Sequence, residues 1–155
     1  MRREYLPEIH EKAVFVLQDR CADLENVVSR VMADLNIKYF VYCSDCPAWD
    51  EEMYKQHIGI WENDAKNIPH LVSAHEELKI NLAIVYCKLS DPTGFAIFTS
   101  VRDCFDQTVQ VIVIVPTGSC TVADAMAAMR RGAETVLEVS DLSNLESAIL
   151  DAALV

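Results

Sequence analysis

Apolar residues gather in five short runs, each ended by polar residues: Ala13–Leu17 (AVFVL), Lys38–Cys43 (KYFVYC), Leu82–Tyr86 (LAIVY), Val109–Val115 (VQVIVIV) and Thr135–Val139 (TVLEV). The runs are too short for core helices and rich in β-branched residues, so they predict strands, with VQVIVIV covered on both faces. Between them the spacing turns helical. Leu24, Val27, Val28, Val31 and Leu35 predict a helix over Asp23–Leu35, with acids early. Lys88–Gly94 (KLSDPTG) reads as a turn, followed by a helix over Phe95–Phe105 with Phe95, Phe98 and Val101 or Phe105 inward. After VQVIVIV, Pro116, Thr117 and Gly118 stop the strand. Thr121 then precedes Asp124 at capping-box spacing, and the helix so opened carries Val122, Ala125, Met126 and Met129 on one face. Arg130 and Arg131 complement its C-terminal dipole, and Gly132 predicts a left-handed cap. Ser143 with Glu146 predicts a second capping box, opening a last helix through Leu145, Ile149 and Ala152. Strands alternating with helices predict one α/β domain: a doubly wound parallel sheet with right-handed connections.

At 155 residues with 52% hydrophobic residues and only 4 Gly and 5 Pro, the chain is long and apolar enough for one ordered core. No apolar run approaches the ~18 residues of a membrane span, and the polar N-terminus is unlike a signal peptide, so a cytoplasmic protein without membrane contact is expected. The formal net charge of −11 would repel a polyphosphate backbone, which speaks against direct nucleic-acid binding. The six cysteines (21, 43, 46, 87, 104 and 120) lie partly in apolar runs and are expected as reduced thiols. Cys43-Ser44-Asp45-Cys46 is a C-x-x-C pair, with His57, His70 and His75 downstream at spacings that do not fit the usual zinc pattern. Ordinary cysteines are the favoured reading there. The chain has no dinucleotide or phosphate loop, no Ser-His-Asp set and no paired carboxylates, so no enzyme and no cofactor are expected.

The stretch TGSCTVADAMAAMRRGAETVLEVSDLSNLESAI (Thr117–Ile149) resembles the C-terminal half of the response-regulator receiver domain, the phosphorylation switch of two-component signalling. A strand ends in Thr-Gly, and Ala128, Met129, Arg130, Gly132 and Ala133 carry the A-M-R-x-G-A signature. The resemblance extends more loosely over residues 12–155. It implies a CheY-like, flavodoxin-like sheet of five strands in the order 2-1-3-4-5, with an N-terminal extension (1–12). Ser73–Leu78 (SAHEEL) resembles the start of the second helix. The 38 residues between Cys43 and Leu82 are more than a receiver uses, which places an insertion at about 44–68, between strands 2 and 3. It holds six acids against two lysines, and its Trp49, Tyr54 and Trp61 are candidate docking residues; packing on the sheet edge is an equal alternative.

The same alignment implies a degenerate phosphorylation pocket. NLAIVYCKLSDPTG puts Tyr86 where the family has its phosphoacceptor aspartate. A phenol of pKa about 10 cannot act as that carboxylate nucleophile. The acid pair becomes Gln18 and Asp19, and the lysine position in LEVSD becomes Val139. Only Asp19 and Thr117 match, so Mg²⁺ would lose most of its charged ligands. Asp91 is a weak substitute acceptor, and for Thr117 strand-end capping is the favoured role. The resemblance thus implies a pseudo-receiver: a phosphorylation-independent module of two-component (phosphorelay) type, binding protein partners. Its homodimer surface would lie over residues 122–153, and it would reach transcription through an effector absent from this chain. The alternative is a flavodoxin-like domain binding a small ligand at the strand ends, or a metal at Cys43 and Cys46.

Overall fold

Three neighbouring strands have no side turned to water. In the computed structural model they are β1 (Lys12–Leu17), β4 (Leu82–Tyr86) and β5 (Gln110–Val115). The structure describes residues 12–19, 21–43, 61–62, 81–105 and 107–154. The sheet is parallel throughout and is completed by β2 (Lys38–Cys43), β3 (Trp61–Glu62) and β6 (Thr135–Glu138), in the order β3-β2-β1-β4-β5-β6.

Alternate residues of the strands feed two separate cores. Phe15, Leu17, Tyr39, Val41, Leu82, Ile84, Ile112 and Ile114 pack with helix α1 (Ala22–Asp34) and helix α4 (Leu145–Leu154). Val14, Val16, Ala83, Val85, Cys87, Val111, Val113 and Val115 pack with helix α2 (Pro92–Cys104) and helix α3 (Val122–Arg130). A period-2 strand with both faces apolar can be buried only in this way, with helices above and below.

Among the described residues the expected five strands become six. The extra one, β3, pairs Trp61 with Val41 and Glu62 with Tyr42. It falls inside the stretch read as an insertion, the rest of which lies outside the described residues, as do 1–11 and Ser73–Leu78. A two-residue edge strand has no periodicity to read; it exists because β2 has a free edge to pair with.

The helix ends follow local chemistry with two corrections. The Thr121 box forms: the Asp124 N–H donates to Thr121 Oγ1 and the Thr121 N–H donates to Asp124 Oδ2, both at 3.1 Å. Gly132 takes φ +110°, and a Cβ there would come within 2.9 Å of Arg102 Cδ. Buried Arg102 donates from Nη1 to the carbonyls of Val109 (2.8 Å) and Gly132 (3.4 Å), tying the end of α2 to both neighbours. Helix α2, however, opens at Pro92 rather than Phe95, because Asp91 caps it, accepting from the Thr93 N–H (3.4 Å), and Pro92 fills the first turn, where no N–H is needed. Ser143 does not cap a free helix start; it lies inside a 3₁₀ stretch, Val139–Asn144, that runs straight into α4.

Gly94 sits where α2 crosses the residues after β4. A Cβ there would lie 2.1 Å from the Lys88 carbonyl oxygen and 2.8 Å from Gln18 Oε1. The first contact is with backbone and cannot be relieved by a rotamer. Gly94→Ala should therefore destabilise the protein by roughly 3 kcal/mol, the upper part of the overpacking range. Gly118→Ala, with open space around it but φ +76°, should lose only about 1 kcal/mol. Urea unfolding midpoints of the two variants check the order; equal losses would contradict the close approach.

Candidate functional site

The C-terminal ends of β1, β4 and β5 converge, because parallel strands stop at one edge of the sheet. The cleft there is about 230 Å³ and is lined by Gln18, Asp19, Tyr86, Cys87, Lys88, Asp91 and Pro116. The strand register sets Leu17 beside Tyr86 and Tyr86 beside Ile114. So Gln18, Asp19 and Tyr86 line one cleft, whereas Thr117 and Val139, expected at the same pocket, are not among its lining residues.

Gln18 is a structural bridge. Its N–H donates to the Tyr86 carbonyl (2.8 Å), and its Oε1 accepts from the Lys88 N–H (2.9 Å). A neutral amide thus occupies the end of β1, and its oxygen accepts from the backbone after β4. Asp19 is exposed beside it.

Tyr86 continues the side of β4 that carries Leu82 and Ile84 and, like Cys21, Leu137 and Val139, packs against the α1/α4 core. Burial, then the adjacent Cys21 thiol, then the Asp19 carboxylate push its phenol up to about 12. It is a neutral, half-buried ring. Val139 is half-buried against the same core and is not among the residues that line the cleft.

Thr117 stands in the loop after β5. Its Oγ1 accepts from the Ser140 N–H (3.0 Å), and the next N–H, of Gly118, donates to Glu138 Oε2 (2.7 Å). Two hydrogen bonds therefore latch this loop to the end of β6, which is the capping role expected for Thr117.

The sequence did not single out Lys88, Cys87 or Pro116 for the cleft. Lys88 stands two residues beyond Tyr86, in the stretch read only as a turn. It is the cation among the lining residues, beside Asp19 and Asp91. Among the described residues no group of three or more His, Cys, Asp or Glu is placed to hold a metal ion. Cys46, the Cys43 side chain, Trp49, Tyr54 and the Trp61 side chain lie outside what the structure describes.

The phenol supplies a pH test. Its folded pKa is raised, so the fold favours the neutral ring. That contribution is complete below about pH 10, the ordinary tyrosine value, and is lost as pH rises through about 12. Tyr39 is raised too, chiefly by burial. Ultraviolet alkaline titration should show late-ionising tyrosines, one of which disappears in Tyr86→Phe. An unchanged late phase in that variant would show that Tyr86 is not shielded.

No protein-family model and no curated protein sequence matches the chain. Solved structures do match. A pilus assembly-related protein from Burkholderia pseudomallei superposes with a TM-score of 0.61 at 12% identity, over 94% of this chain and 92% of its own. The signal receiver domain of the response regulator NarL from Mycobacterium tuberculosis superposes with a TM-score of 0.51 at 18% identity, over 92% of this chain and 95% of its own. At such identities the likeness is one of fold: the chain has the α/β parallel-sheet fold of a receiver domain.

Proposed function

We propose that this chain is a pseudo-receiver: a non-enzymatic, cytoplasmic signalling module that acts by binding proteins and does not enter the acyl-phosphate cycle. The observation that carries the reading is the Tyr86 ring at the cleft, with the Gln18 amide beside it. Acyl-phosphate chemistry needs a carboxylate nucleophile, charged ligands for Mg²⁺ and a cation against the phosphoryl group. The cleft offers a neutral phenol in place of a carboxylate on β4 and an amide already bonded to the Lys88 N–H, while Lys88, Asp19 and Asp91 are its charged groups. The receiver-like fold supports signalling by contact. A volume of about 230 Å³ lies under the ~300–1,000 Å³ of usual ligand pockets, which favours docking over a small-ligand role.

The partner surface we assign is the face built on α3. Its Val122, Met126 and Met129 are 77%, 46% and 51% exposed, whereas Ala128 is fully buried. The apolar stripe thus turns outward: small Ala128 lets the helix approach the sheet closely, and the larger side chains face solvent. Arg130 and Arg131 are exposed at one end of the helix and Asp124 is half-buried at the other, so two antiparallel copies would pair opposite charges while covering the stripe. A homodimer over residues 122–153 is therefore part of the proposal, with output, including any effect on transcription, passing to an effector carried elsewhere.

Incubation with acetyl phosphate and Mg²⁺ should give no phosphoryl mass gain. A hydroxylamine-sensitive gain, lost in Asp19→Asn or Asp91→Asn, would overturn the phosphorylation-independent reading.

Sedimentation should show a dimer for the parent and a monomer for Val122→Asp/Met126→Asp, with stability of the exposed-site variant changed by only about 0.5 kcal/mol per position. A monomeric parent, or a variant that remains dimeric, would remove the homodimer from the reading.

A further inference from the structure

Two cysteines, Cys87 and Cys120, pack on one side of the sheet. Cys87 follows Tyr86, and its N–H donates to the Ile114 carbonyl (3.0 Å), which sets it level with Val115 at the end of β5. Alternation turns it into the α2/α3 core, where it is 1% exposed. The chain after Val115 turns back at once: the Ser119 N–H and Oγ both donate to the Pro116 carbonyl, at 3.1 and 2.6 Å. That turn returns Cys120, half-buried, to the same apolar cluster that contains Cys87. Both thiols are free, and Cys21 packs on the opposite core with the sheet between.

We propose that Cys87 and Cys120 form an oxidation-sensitive dithiol that closes to a disulfide and clamps the start of α3 to the end of β4. Hydrogen peroxide is a sufficient oxidant. The more accessible Cys120 thiolate attacks one peroxide oxygen, breaking the O–O bond and releasing hydroxide, to leave a sulfenic acid. The Cys87 sulfur then attacks the Cys120 sulfur, forming the S–S bond and expelling the sulfenic oxygen as water. Overall two thiols lose two hydrogens, and one peroxide is reduced to two waters.

The reaction is slow at neutral pH by construction. Burial, then Cys120, pushes the Cys87 thiol up to about 12, and burial, Asp124 and Glu138 raise that of Cys120. Only thiolates attack, so the rate should rise with pH. The clamp bears on the loop that Thr117 and Gly118 latch to β6, and on the residue before the Thr121 cap. It would fix the position of α3, the helix that carries the exposed Val122, Met126 and Met129.

The test uses the full chain. Reduced protein is treated with hydrogen peroxide, residual thiols are blocked with N-ethylmaleimide, and non-reduced peptides are mapped by mass. The expected result is a Cys87–Cys120 linked peptide, formed faster at higher pH, absent in Cys120→Ser and retained in Cys21→Ser. Without oxidant, Cys120 should be alkylated in the native state and Cys87 only after unfolding. Should Cys87→Ser fold poorly, the mapping of the parent and of Cys120→Ser still decides. Oxidation of Cys120 to sulfinic acid with Cys87 still alkylatable after unfolding would overturn the proposal, as would a dominant linkage of either cysteine to a different one.

Discussion

The fold depends on burying β1, β4 and β5 on both faces. Residues 13–17, 82–85 and 111–115 are all buried, so nothing polar can stand along these strands. Their backbone groups are satisfied by the parallel ladders, and the side chains are divided between two cores by the twofold alternation of the strand. Polar function is thereby confined to the strand ends. The same confinement fixes which neighbours each end residue meets, because Tyr86 and Cys87, adjacent in sequence, must face opposite cores.

The cleft follows from that geometry. Tyr86 closes it from the α1/α4 side with a neutral ring, while Gln18 ties the end of β1 to the backbone of Lys88. Gly94 permits the tight crossing that brings α2 over the same point. These contacts give a small, braced site whose charges, Asp19, Lys88 and Asp91, lie around its rim. The fold itself leaves the output open, since one similar structure is described as pilus assembly-related and another as a response-regulator receiver.

On the other side of the sheet, the loop after β5 is held by Ser140 and Glu138 through Thr117 and Gly118. It leads directly into the Thr121 capping box, so the position of α3 depends on this loop. Buried Arg102 secures the far end of the same helix by bonding the Gly132 carbonyl. Helix α3 is thus fixed at its two ends and attached along its length mainly through alanine, an arrangement that leaves its large apolar side chains to solvent.

The sequence by itself determined what depends on nearest neighbours. Strand runs such as VQVIVIV, the Thr121–Asp124 box and the left-handed Gly132 are legible because β-branching, capping hydroxyls and the missing Cβ act within a few residues. The convergence of Gln18, Asp19 and Tyr86 was legible only through resemblance to a fold already known. Only the tertiary structure decided the rest. The strand Trp61–Glu62 exists because β2 offers an edge, and that edge is set by sheet order. The outward turn of Val122, Met126 and Met129 was hidden, since periodicity marks a stripe without saying what covers it. The roles of Lys88 and Gly94, and the placing of Cys87 and Cys120 on one core, arise from packing between segments distant in the chain, which no local pattern encodes. The Asp91-Pro92 start of α2 was a local signal, but the turn reading of KLSDPTG masked it, because the same residues that end a strand also begin a helix.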